Sequence, residues 1–373
     1  MRHLRKTVLR SVLLLAAALL GSSCATTPSS ERLRPLGLAP AQETGTDKTV
    51  EILVATTRLR SDTPYTFSYG RSHVINHQAV ALAVRSPGGK APVDAQTEAV
   101  TSLDDFQAIG NEPITEPDFI RRVADAAARA DGEVTLYVHG FNTTHETAIL
   151  RLAQIVSDAG TLGGAVVFSW PSRGRVLDYL TDRESAMFSR DRLATVLRQL
   201  GRQGKIRRIN ILAHSMGAFL AMETLRQAKL AGDGEFNGKL NAVVLAAPDI
   251  DLDVFRTQLE VVGKRKRPTI LLISSDDSAL QFSRFLAGDV ERVGGVRIDS
   301  PEAQAEIARL GLIVIDLTKG RAESHAKYAA FPGVIRHIGT LVGGDRPAPR
   351  GGIGEVDEVG RFTGPAEFGR AAP

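Results

Sequence analysis

One stretch narrows the fold of this chain more than any other: Ile209-Asn210-Ile211-Leu212-Ala213-His214-Ser215-Met216-Gly217, an apolar run ending in a turn of small residues with a serine at its apex. A strand that passes into a helix this abruptly makes a sharp, strained corner, and only small side chains fit two positions either side of its tip. Ala213 and Gly217 meet that demand, although alanine at the first flank adds a methyl where glycine is usual. Such a corner lifts a serine hydroxyl clear of the backbone, as a nucleophile needs. A serine between strand and helix also serves as an ordinary N-cap, and these nine residues alone do not separate the two roles.

From Val50 onward, short apolar runs alternate with helical periodicity, the pattern of a mostly parallel α/β sheet with helices on both faces. Strands are expected at 51–57, 79–85, 134–139, 165–170, 209–213, 242–247, 269–274 and 312–317, eight in all. Helices are expected at 118–130, 146–158, 182–200, 216–231, 253–261, 279–287 and 332–342. The stretch between the sixth and seventh strands is too short for a helix plus a large lid, so any cap is minimal. Residues 344–373 are rich in glycine, proline and charge without periodicity, and read as a disordered tail.

The first 23 residues have the form of a secretory signal: Arg2, Arg5, Lys6 and Arg10, then the apolar Val12 to Leu20, then Gly21-Ser22-Ser23. Residues 24–48 are polar and proline-bearing, as a flexible linker would be, and the globular domain is expected over 49–343. The whole chain has 46 basic and 42 acidic residues; removing the four basic residues before Cys24 leaves a balance of zero. A nucleic-acid partner is therefore not expected. The one basic run, Lys264-Arg265-Lys266-Arg267, reads as a solvated loop ahead of a strand. Cys24 is the only cysteine, which excludes an internal disulfide. Leu19-Leu20-Gly21-Ser22-Ser23-Cys24 resembles a bacterial lipoprotein signal, which implies an envelope protein anchored to the membrane through lipidated Cys24; simple cleavage after Ala25 would instead give a periplasmic or secreted protein.

In an open parallel sheet, reactive groups gather at the carboxyl ends of the strands. A serine corner calls for an acid and then a histidine further along the chain. Only His325 and His337 follow Ser215; His337 lies inside a helical pattern, whereas His325 lies in the irregular segment after the eighth strand. Three acids stand at strand ends, ordered Asp277, Asp276 and Asp249, and either of the first two could equally be the N-cap of the next helix. The oxyanion hole needs two backbone amides, for which Phe141 and Met216 are the candidates, with Gly140 letting the chain turn close to the substrate. His139 and His145 have no further ligand cluster beside them, so neither a metal nor a cofactor is expected. Trp170, the only tryptophan, is a candidate wall of an acyl pocket or a packing residue, and Arg173 and Arg175 are candidate anion contacts or solvated loop residues.

Taken together, Tyr137-Val138-His139-Gly140-Phe141-Asn142, Phe168-Ser169-Trp170-Pro171-Ser172, Ala213-His214-Ser215-Met216-Gly217, Ala246-Ala247-Pro248-Asp249-Ile250-Asp251, Ser275-Asp276-Asp277-Ser278-Ala279-Leu280 and Ser324-His325 resemble a little-characterised bacterial branch of the α/β-hydrolase superfamily. The resemblance runs from about Val50 to Val342. It implies an α/β-hydrolase fold and a serine esterase-like enzyme with Ser215, Asp277 and His325 as its triad. The expected substrate is a small-molecule or lipid carboxylic ester, cleaved through an acyl-serine intermediate. Thioesterase, lipase or amidase chemistry on the same triad is the nearest alternative, and a non-catalytic envelope scaffold is the alternative of another class.

Overall fold

Ile209, Ile211 and Ala213 pack into one hydrophobic core while Leu212 packs into another. That split is the two-residue period of a strand covered on both faces, which is why its sequence is a nearly continuous apolar run. A computed structural model of the chain describes residues 48–62, 66–84, 102–160, 163–286, 288–322, 325–342 and 351–363. The expected signal peptide, Cys24 and nearly all of the linker lie outside them.

The strands are β1 (Lys48–Arg60), β2 (Phe67–Val84), β3 (Phe106–Ile114), β4 (Glu133–Val138), β5 (Gly164–Ser169), β6 (Arg208–His214), β7 (Leu240–Ala246), β8 (Thr269–Ile273), β9 (Ile313–Asp316) and β10 (Gly352–Glu355). They form one sheet in the order β10-β9-β8-β7-β6-β4-β5-β1-β2-β3, and only β2 runs antiparallel to its neighbours. This is the α/β-hydrolase fold that the alternating pattern implies, with ten strands rather than eight. The additions lie at the two edges: β3 beside β2, and β10 in parallel register with β9 from Gly352↔Ile313 to Glu355↔Asp316. β10 corrects the expectation of a disordered tail over the described part of it, since Val356 is fully buried and Phe362 packs on His337 with ring centroids 4.0 Å apart.

The helices are α1 (Glu116–Ala128), α2 (His145–Ala159), α3 (Tyr179–Gly201), α4 (Met216–Leu230), α5 (Leu252–Val262), α6 (Ser278–Leu286), α7 (Pro301–Leu310), α8 (Lys327–Ala330) and α9 (Pro332–Val342). Side chains start several of them: Thr115, Thr144, Asp251 and Ser300 each accept from an amide of the first turn. Helices α1, α3, α4 and α5 cover one face of the sheet; α2, α8 and α9 cover the other. Helix α2 leaves β4 and α4 leaves β6, so two adjacent strands send their chains to opposite faces. A crevice opens between such carboxyl ends, where the strand order reverses.

The basic run corrects a second expectation. Arg265 is not solvated: its side chain is only 3% exposed, and Nη2 donates to the carbonyls of Leu240 and Asn241 at 3.0 and 3.2 Å.

Candidate active site

The corner after β6 is built as its sequence demands. Ser215 has φ 53° and ψ −120°, a left-handed conformation that a non-glycine residue holds only where its surroundings force it. Its amide donates to the Ala246 carbonyl of β7 at 2.9 Å, and its carbonyl accepts from the amides of Ala218 and Asp249 at 2.9 and 3.2 Å. The side chain makes no capping bond to α4, so Ser215 does not play the N-cap role that its position allowed. A Cβ at Gly217 would overlap the carbonyl oxygens of Val138 and His139, which explains why the second flank must be glycine. One at Gly140 would stand 2.8 Å from His214 Nδ1 and 3.0 Å from Ser215 Cβ, so the loop after β4 lies directly against the corner. Asn142 (φ 54°) and Ala247 (φ 44°) are strained in the same sense, which gathers left-handed backbone at the ends of β4, β6 and β7.

Asp277 and His325 are joined. Nδ1 of His325 donates to Asp277 Oδ2 at 2.6 Å, while Asp277 Oδ1 accepts from the amides of Ala279 and Leu280 at 3.0 and 3.1 Å. Asp277 thus caps α6 with one oxygen and holds the imidazole with the other, so the two roles that sequence set against each other coexist. Burial by itself would push the Asp277 carboxyl up; the His325 ring and the Leu280 amide outweigh it and hold it below the usual carboxylate range. For His325, burial pulls the imidazole down, but Asp277 outweighs it and the net displacement is upward.

The segment carrying His325 is docked on the corner from behind. His214, immediately before Ser215, is kept neutral by burial, and its Nε2–H donates to the His325 carbonyl at 3.2 Å, with the two rings 4.7 Å apart. Tyr328 packs on His214 at 4.9 Å and meets Tyr137 of β4 through their hydroxyls at 3.0 Å. Lys327 Nζ bonds both oxygens of Asp276 at 2.8 Å. Asp276 therefore anchors the segment that carries His325 instead of touching the imidazole. Asp249 is buried elsewhere, accepting from Tyr179 Oη at 2.9 Å and Ser283 Oγ at 2.5 Å. No hydrogen bond is closed between Ser215 Oγ and the His325 ring; Nε2 of that ring has no partner among the described residues. Such bonds are often open without substrate and tighten only when it binds.

Met216 follows Ser215 in the first turn of α4, and Phe141 follows Gly140 in the loop after β4 that lies against Ser215; neither amide has a backbone acceptor among the described residues. Beneath them, Trp170 is a packing residue, not a pocket wall. It is fully buried, stacks on His139 with centroids 4.9 Å apart, and donates Nε1–H to the His139 carbonyl at 2.7 Å. Burial depresses His139 to about 3, and its neutral ring lies 2.9 Å from the Gly140 carbonyl and 3.1 Å from that of Trp170. His145 is bonded to Ser169 Oγ and Gln78 Oε1. Both histidines are thus engaged in structural bonds. Arg173 and Arg175 pair with Asp178 at 3.5 and 3.4 Å.

Sequence reasoning missed Arg58. It is buried, and Nε, Nη1 and Nη2 donate to Ser169 Oγ, the Ser172 carbonyl and the Thr143 carbonyl at 3.0, 2.8 and 2.9 Å, tying β1 to the loops after β5 and β4. Burial lowers its pKa to about 10. A lone arginine at the end of an edge-side strand carries no pattern that could have disclosed this.

The fold and the strained corner define an α/β hydrolase. A family model described as an alpha/beta hydrolase of unknown function (DUF900) matches residues 117–344, and the chain belongs to that family. It is also 40% identical over 62 residues to an uncharacterized protein of Nostoc sp., a match covering 17% of this chain and 16% of that protein.

Proposed function

We propose that this hydrolase is a serine esterase that cleaves a carboxylic ester through an acyl-serine intermediate. Support comes chiefly from one observation: an imidazole bonded at 2.6 Å to a buried carboxylate sits on a segment docked against the residue before a strained, uncapped serine. In this reading Ser215 Oγ attacks the ester carbonyl carbon as His325 Nε2 takes its proton. The Phe141 and Met216 amides receive the oxyanion, and Asp277 orients the ring and stabilises the imidazolium. His325 then returns the proton to the departing alkoxide, and water, activated by the same ring, releases the acid. Thioesters and amides are open to the same groups.

A fluorophosphonate probe tests the assignment. The protein is expected to label at Ser215 and to lose labelling and ester turnover as Ser215→Ala. A folded wild-type protein that stays unlabelled would instead mark a non-catalytic scaffold. We further propose export with anchoring through Cys24; membrane association unchanged in Cys24→Ser would remove that part of the reading.

A further inference from the structure

Asp182, in the first turn of α3, is fully buried. Its Oδ1 accepts from the Arg173 amide at 2.9 Å and its Oδ2 from Ser172 Oγ at 2.5 Å, and the Asn142 amide joins them in stabilising its charge. Burial by itself opposes that charge and leaves the carboxyl above its usual range. A buried carboxylate is costly unless donors surround it, and these donors come from the loops after β4 and β5.

What Asp182 holds in this way is the loop beside Ser215. Ser172 Oγ, while donating to Asp182, accepts from the Thr143 amide at 3.1 Å. Thr143 Oγ1 in turn donates to the Phe141 carbonyl at 3.1 Å, and the Gly140 carbonyl lies 2.9 Å from His139 Nδ1. In a trans peptide the carbonyl and the N–H point opposite ways, so these contacts set two adjoining peptide planes. The Gly140 carbonyl faces His139, and the Phe141 N–H therefore points away from that ring. The Phe141 carbonyl faces Thr143 Oγ1, and the Asn142 N–H therefore points to the other side, where Asp182 stabilises it. Asn142 is left-handed at φ 54°, a conformation that persists only where its surroundings impose it.

We propose that Asp182 is a positioning residue for the oxyanion hole: by anchoring Asn142 and, through Ser172, Thr143, it keeps the Phe141 amide aimed at the oxygen on which charge develops as Ser215 attacks. A donor fixed in advance costs no reorganisation at the moment of reaction, and it serves the transition state more than the bound ester. This role rests on the esterase reading above.

The test is steady-state kinetics on a nitrophenyl ester of a short fatty acid, with kcat counted per serine titrated to completion by the fluorophosphonate probe. Asp182→Asn keeps the shape of the side chain, removes its charge and turns one acceptor into a donor. It is expected to lower kcat by about tenfold to a hundredfold, short of the loss when an oxyanion donor is deleted outright, with KM held within about twofold. An alkyl boronic acid, whose tetrahedral adduct on Ser215 presents an oxygen to the same hole, is expected to lose affinity by a matching factor. A merely structural role would reduce the number of titratable sites and leave kcat per site and boronate affinity unchanged. Should Asp182→Asn fail to fold, Ser172→Ala frees Asp182 Oδ2 and the Thr143 amide together and is expected to show the same split at about threefold or more. Unchanged kcat per site in the variant that folds, or a loss confined to KM, overturns the proposal. A wild type that neither labels nor turns over ester, or turnover that survives Ser215→Ala, would instead overturn the esterase reading.

Discussion

At the scale of single residues, the two neighbouring aspartates after β8 divide their labour. Asp277 meets the imidazole, and Asp276, 53% exposed at its side chain, meets Lys327. Asp277→Asn should therefore slow ester turnover by about 10³–10⁴-fold, the loss seen when a serine protease is given the corresponding change. Asp276→Asn should cost about tenfold or less, because it loosens one anchor of the segment; steady-state kinetics on one ester decides the order. The pH profile follows from the same pair. In the proposed mechanism His325 must be neutral to take a proton, and its pKa is raised, so activity is expected to fall as pH drops through a value above the ordinary imidazole range. With Asn at 277 that limb should move to lower pH. The linkage to stability has the opposite sense: the raised imidazole stabilises the fold fully below its unfolded pKa and ceases to do so as pH rises through the folded one. For the depressed Asp277, stabilisation is lost as pH falls through its folded value. Sequence supplied all three candidate acids but could not rank them by contact, since whether a strand-end carboxylate caps a helix or reaches a histidine 48 residues away depends on loop geometry.

At the scale of elements, legibility followed periodicity. The central strands are buried on both faces and appear as continuous apolar runs, so they were found where they lie. Strand β3 was missed because Gly110 and Pro113 interrupt it, and such breaks are tolerated only at a sheet edge. Strand β10 has four residues, two of them glycine, and α7 buries only Ile307, so neither carries a pattern of its own. Two tests belong here. Gly217→Ala forces a methyl against the Val138 and His139 carbonyls and should cost about 1–3 kcal/mol in chemical denaturation, with a loss of probe labelling as the corner shifts. Ending the chain after Gly343 removes Val356 and Phe362 from beneath α9 and bares the edge of β9; lower thermal stability and a tendency to associate are the expected outcomes, read by calorimetry and light scattering.

At the scale of the whole molecule, two hydrophobic cores sandwich the sheet, and a buried polar chain crosses it. Arg58 donates to Ser169, Ser169 bonds His145, His145 bonds Gln78 and Gln78 bonds Asn111, which links β1, β5, α2, β2 and β3. Networks of this kind stabilise only when complete. Arg58→Met strips the donors from the carbonyls of Thr143 and Ser172, which border the Phe141 loop. It should lower unfolding free energy by about 2–5 kcal/mol, measured in urea, and should weaken turnover in the protein that remains folded. Sequence showed the polar residues of this chain singly, at positions scattered over more than fifty residues, and only the sheet order brings them side by side. The corner at Ser215 has a wider implication. With its amide claimed by β7 and its carbonyl by α4 and the Asp249 amide, its coordinates are inherited from the scaffold and owe nothing to the segments overhead. Descendants of such a chain can lengthen, trim or exchange those segments and still present the hydroxyl at one fixed spot, so that new recognition can evolve around an unmoved centre.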